Sequence, residues 1–108
     1  MVHNALYLSK EQIFNDLERF SQQMESKYNI QSARPYENEI TDGAEFGYEL
    51  TFQAQTVIIK KPYLVNENGD FAENRFRREW TFETDGTPSN RLYKSLGDVF
   101  EATGIKRL

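Results

Sequence analysis

Cysteine is absent from this chain of 108 residues. That one absence excludes disulfides, thiolate nucleophiles and thiolate-bound zinc together. It agrees with a reducing compartment, and a cytoplasmic protein is the expectation. Histidine is nearly absent: His3 stands alone, close to the N-terminus, where a solvent-exposed residue is expected. Without a thiol or a second imidazole, no Ser/His/Asp or Cys/His nucleophile system is visible. Six glycines are scattered along the chain, and none falls into the G-x-G-x-x-G or G-K-[ST] spacing that cradles phosphate. No apolar run approaches the roughly 18 residues of a membrane span. The opening MVHNALYLSKEQ has neither the basic start nor the cleavage signal of a secretory leader. These absences predict a protein that is not an enzyme, with no cofactor, no metal and no membrane contact.

What is present is bulk for a core. Eight Phe, six Tyr and one Trp can fill one hydrophobic interior, and residues 1–108 read as a single compact domain. The net charge is −4, unevenly spread. Residues 1–59 hold four basic against nine acidic side chains, a net −5, and residues 60–108 hold nine against eight, a net +1. An acidic whole argues against tight nonspecific nucleic-acid binding. Glu37, Glu39 and Asp42 read as a solvated strand edge rather than a catalytic or Mg²⁺ pair. NENGD at 66–70 reads as a turn: it lacks the leading Asp and the closing Glu of a calcium loop.

Two helices are expected, over 9–28 and 88–103. Ser9 and Gln12 form an S-x-x-Q capping box, and Ile13, Leu17, Phe20, Met24 and Tyr28 follow on one helical stripe widened by Phe14. In the second, Thr87 and Pro88 suit the start, and Leu92, Leu96, Val99 and Phe100 make the apolar face. Gly104 suits a left-handed stop, with Ile105 closing a hydrophobic contact beyond it. Gly97 inside that helix suggests a close approach to the sheet.

Period-two alternation over 48–58 and 75–83 predicts two half-buried strands, with a weaker one over 34–41 ending at Asp42-Gly43. Phe76, Trp80 and Phe82 share an apolar face, as do Leu50, Phe52 and Ile58. Pairing face to face excludes a simple two-residue turn at Asn68-Gly69 and favours a three- or five-residue connection with Gly69 at positive φ. In the favoured register Phe52 faces Phe82, Ala54 faces Trp80 and Ile58 faces Phe76. The resulting fold class is α+β: an antiparallel three-stranded meander, with the two helices packed on one sheet face.

On the outer sheet face this register sets Val57 opposite Arg77 and Ile59 opposite Arg75, with Lys61 and Tyr63 continuing the line. An apolar strip rimmed by arginine and tyrosine has the composition of a protein interface. The expected function is therefore non-catalytic docking of a protein partner or a second copy through Val57, Ile59, Lys61, Tyr63, Arg75 and Arg77. The alternative is a nucleic-acid-binding module using Lys60, Lys61, Arg75, Arg77, Arg91 and Lys94.

Overall fold

The computed structural model describes residues 6–108; His3 and the start of the Ala5–Leu8 run lie outside them. The architecture is α+β: an N-terminal helix, an antiparallel sheet of six strands and a short C-terminal helix. Helix α1 spans Lys10–Lys27. Strands β1 (Ser32–Ile40), β2 (Gly43–Phe52) and β3 (Gln55–Val65) form the long meander. Strands β4 (Phe71–Glu73) and β5 (Thr81–Thr84) both pair with β3, and β6 (Thr87–Pro88) pairs with β5. Helix α2 spans Leu96–Thr103.

Local chemistry sets the ends of α1. Ser9 Oγ accepts from the Gln12 N–H at 3.1 Å, and the Ser9 N–H donates to Gln12 Oε1 at 2.9 Å, closing the capping box. At the far end the chain turns into extended backbone at Tyr28. The C-terminal residues brace this end: the Asn29 N–H donates to the Lys106 carbonyl and the Leu108 N–H to the Lys27 carbonyl, each at 2.8 Å. Near the other end, Leu8 and Phe71 exchange backbone hydrogen bonds of 2.8 and 2.7 Å, so the segment before α1 extends the sheet beside β4.

The stretch 48–58 is not one strand. It folds back at Gln53 and Ala54, both in left-handed backbone with φ 52° and 64°, and Phe52 pairs with Gln55. Two consecutive positive φ values are the type I′ geometry whose twist matches a hairpin. A two-residue turn also exchanges the parity of the buried face. On β2 the even residues Phe46, Tyr48, Leu50 and Phe52 join the core; on β3 its core members are Val57 and Ile59. Leu50 pairs with Val57 and Tyr48 with Ile59. Val57 and Ile59 therefore lie in the core, at 1% and 0% exposure, which corrects their placement on the outer face.

The same exchange decides the next pairing. Phe82 must meet an odd-numbered neighbour to share the buried face, and it pairs with Ile59 while Thr84 pairs with Val57. The expected facing pairs Phe52–Phe82, Ala54–Trp80, Ile58–Phe76, Val57–Arg77 and Ile59–Arg75 do not form. Strand β4 instead pairs Val65 with Phe71 and Tyr63 with Glu73 around a five-residue turn. Gly69 has φ 80° there, and Asn66 Oδ1 accepts from the Asn68 and Asp70 N–H groups at 3.0 Å each. Between β4 and Trp80 the chain leaves the sheet, so 75–83 is not one strand and Phe76 is 79% exposed.

The second helix is half the length expected. Asp85 and Gly86, with φ 48° and 84°, make a second two-residue hairpin that puts Thr87 opposite Thr84. Thr87 and Pro88 thus belong to an edge strand, where a proline is tolerated. Ser95 caps the helix instead, its Oγ accepting from the Asp98 N–H at 3.1 Å. The helix stops at Gly104, φ 82°, where the Ile105 N–H donates to the Phe100 carbonyl at 3.0 Å and Ile105 is buried, a Schellman end. Gly97 makes no close approach to the sheet: a Cβ there would meet only Ser95 Oγ, at 3.7 Å. The close approach is at Gly47 in β2, where a Cβ would fall 1.8 Å from the Ile59 carbonyl oxygen.

Ile13, Leu17 and Met24 of α1 and Val99 and Phe100 of α2 join one buried cluster with Phe46, Leu50, Val57 and Ile59. The opposite sheet face is polar. Arg34 pairs with Glu49, Lys60 with Glu45 at 3.4 Å, and Asn38 Nδ2 donates to Glu45 Oε1 at 3.1 Å. Tyr36 lies among these charges, and burial pushes its hydroxyl pKa up, with Lys60 opposing.

Candidate functional site

The short α2 leaves part of the helix-side face uncovered, and a groove opens there. Its volume is about 470 Å³. One wall is the flank of α1: Asp16, Phe20, Gln23 and Lys27 border the opening while Leu17 and Met24 reach beneath it. The opposite wall is Leu96, Gly97 and Phe100 of α2. Tyr48, Lys61, Tyr63 and Trp80 make the floor, and Tyr28 and Arg107 stand at the end where the C-terminal residues meet α1.

Each floor residue is placed by the sheet. Lys61 and Tyr63 follow Val57 and Ile59 on the same face of β3, and Tyr63 packs at the core's margin with its ring 5.2 Å from that of Phe46. Trp80 is set by its backbone, whose N–H donates to the Tyr93 carbonyl at 2.7 Å and whose carbonyl accepts from the Tyr93 N–H at 2.8 Å. Its ring lies 6.1 Å from that of Tyr48. Lys61 Nζ sits 4.5 Å from the Trp80 ring centre and 6.0 Å from that of Tyr63, and pairs with Glu73 at 2.5 Å. The lysine stem thus covers apolar surface while aromatic faces and one carboxylate hold its charge.

The two floor tyrosines are held neutral. Burial raises the Tyr48 hydroxyl to about 12, helped by Tyr63 and Asp16. Burial likewise raises Tyr63 to about 12, helped by Glu73 and Asp16. Neither can serve as a base near neutral pH; both can donate or accept a hydrogen bond. Asp16 is paired with Arg19 at 2.9 Å. Lys27 and Arg107 have no acidic side chain within ion-pair distance among the described residues, and the Arg107 guanidinium lies 5.7 Å from the Tyr28 ring centre.

Of the residues proposed from sequence as partner-binding, the structure brings Lys61 and Tyr63 together in this groove. Val57 and Ile59 are buried beside it, and Arg75 and Arg77 lie on the exposed loop after β4. Lys60 and Lys61 take opposite sheet faces, and Lys60 and Arg91 border a smaller cavity of about 300 Å³ with Glu83. Tyr48, Trp80, Lys27 and Arg107 were not among the sequence candidates. The expected helix over 88–103 concealed the groove: with α2 only 8 residues long, Phe20 on the α1 stripe stays 43% exposed. Among the described residues no three His, Asp or Glu side chains group closely enough to hold a metal, and no helix is long and apolar enough to cross a membrane.

These elements define a small α+β protein with an aromatic-floored groove on its helix side. By sequence the chain belongs to a family of unknown function, DUF5634, which matches residues 7–103. No curated protein matches it.

Proposed function

We propose that the protein is a non-catalytic binding protein whose site is the groove between α1, α2 and the sheet, and that its ligand is a small, largely apolar molecule. The observation that carries this is the groove itself. Its volume of about 470 Å³ falls within the range of small-molecule sites, which are mostly apolar with a few fixed polar groups. Here the polar groups are the hydroxyls of Tyr48 and Tyr63 and the ammonium of Lys61. Nile red, an uncharged apolar dye, provides the test. Wild type should bind it saturably and shift the emission of Trp80, the chain's single tryptophan. Gly97→Leu places a side chain toward the groove where nothing but Ser95 Oγ lies within 4 Å of a Cβ. It should weaken binding by about tenfold, equivalent to about 1.4 kcal/mol, without loss of thermal stability. Equal binding by the variant would sink the proposal.

A second reading keeps protein docking, with a second copy of the chain as the partner. Phe76 is 79% exposed, the Arg75 guanidinium lies 5.1 Å from its ring centre, and Arg77 follows. An exposed aromatic between arginines resembles an interface hot spot, and this basic loop complements a chain of net charge −4. Light scattering across protein concentration checks it: a dimer in wild type and a monomer in Phe76→Ser support it, and a monomer throughout refutes it.

A further inference from the structure

The groove is unequal along its length, and we propose that the inequality selects its ligand: a single-chain amphiphile whose apolar body lies along α1 and whose anionic head sits between Lys27 and Arg107. This rests on the groove as the binding site and adds the ligand's charge and direction. The lining residues of α1 run from Ile13 to Lys27, roughly 20 Å at the rise of an α-helix, so the site is elongated. Its middle is apolar and aromatic. The charges there are already matched, Lys61 by Glu73 at 2.5 Å and Asp16 by Arg19 at 2.9 Å.

Only at the Tyr28 end do cations stand without acidic partners among the described residues. Lys27 and Arg107 are 80 residues apart in sequence (107 − 27) and are brought together by backbone. The Leu108 N–H donates to the Lys27 carbonyl at 2.8 Å, and Tyr28 and Arg107 pair across an antiparallel bridge. A carboxylate or other anionic head there gains two charge-assisted contacts, while a cationic head meets repulsion from both. In a protein of net charge −4, overall charge cannot produce that preference; it must come from this local pair.

The test uses the full chain and three amphiphiles of equal tail, each below its micelle concentration: dodecanoate, dodecyltrimethylammonium and dodecyl maltoside. Trp80 emission reads binding. Dodecanoate should bind at least about tenfold more tightly than dodecyltrimethylammonium, with the maltoside between them. Lys27→Gln with Arg107→Gln should erase the order while leaving the melting temperature unchanged; both side chains are exposed, so the fold tolerates the change. Equal affinity for all three in wild type overturns the head-group inference and leaves the groove reading standing. Saturable binding of Nile red with none of the amphiphiles does the same. Failure of every probe, Nile red included, removes the groove reading and this inference with it. A charge order that survives the double glutamine variant refutes the role of Lys27 and Arg107.

Discussion

Val57, Ile59, Lys61 and Tyr63 form one row on one face of one strand, yet its two halves lead different lives. The first two are 1% and 0% exposed and belong to the core. The last two open onto the groove. Strand and hydrogen-bond ladder are the same; the cover differs. Helix α1 is 18 residues long and α2 is 8, so the second helix ends its protection partway along the face. The difference teaches that exposure on a sheet face is decided by the length of what lies above it, and that a shortened helix makes a site without any change in the strand.

The largest effect should come from setting the two halves against each other. Ile59→Ala should cost about 2–5 kcal/mol, the usual range for emptying a well-packed aliphatic site. Lys61→Met should cost at most about 1 kcal/mol, because the Glu73 carboxylate it leaves unpaired is half-exposed and keeps its water. Urea unfolding of both variants decides; equal losses would break the comparison.

A smaller effect should appear with alkali. Tyr48 and Tyr63 have hydroxyl pKa values raised from the usual 10.0 to about 12 in the folded state. Between those limits the folded chain holds protons that the unfolded chain releases. Stability is therefore complete below pH 10 and is lost as pH rises toward 12, by at most about 1.4 kcal/mol per pH unit for each group. Thermal melts between pH 9 and pH 11 should fall for wild type and fall less for Tyr48→Phe. An unchanged slope in the variant would show that the floor tyrosines do not sense the groove's burial.

The smallest effect should be a gain. Ala54 adopts φ 64°, which costs an L-residue roughly 1–2 kcal/mol, and glycine carries no such penalty. Allowing for glycine's greater unfolded freedom, Ala54→Gly should stabilise by about 0.5–1 kcal/mol, read as a rise in urea midpoint. A loss would mean that the turn is not under left-handed strain.

The parity exchange on β3 also marks where sequence was legible and where it was not. The cap of α1, the turn at Gly69 and the stop at Gly104 each follow from residues that satisfy local hydrogen bonds or positive φ, and each could be read directly. The turn at Gln53-Ala54 could not. Neither residue favours left-handed backbone, and apolar alternation continues through it as though the strand were unbroken. Everything downstream inherited the wrong face: Val57 and Ile59 were placed outside, and β5 was given the wrong neighbours. The hairpin at Asp85-Gly86 was concealed differently, because Thr87-Pro88 suits a helix start as well as a strand edge. Lys61 and Tyr63, expected on the outer face, moved with Val57 and Ile59 to the helix side. Their surroundings were not readable, since Trp80, Tyr48 and Arg107 come from distant segments brought together only by the completed sheet.

The two-residue link between β2 and β3 has a consequence for how this chain can change. Its residue types can change among those that take positive φ, glycine, asparagine and aspartate most readily. Its length cannot. Inserting or deleting a single residue there would exchange the two sides of β3, turning Ile58 and Lys60 inward and Val57 and Ile59 outward while leaving every hydrophobic residue in the composition. Lengths at this point should therefore be held fixed even where the letters drift, and a relative with one residue more would need a compensating irregularity elsewhere in β3 to keep the same floor.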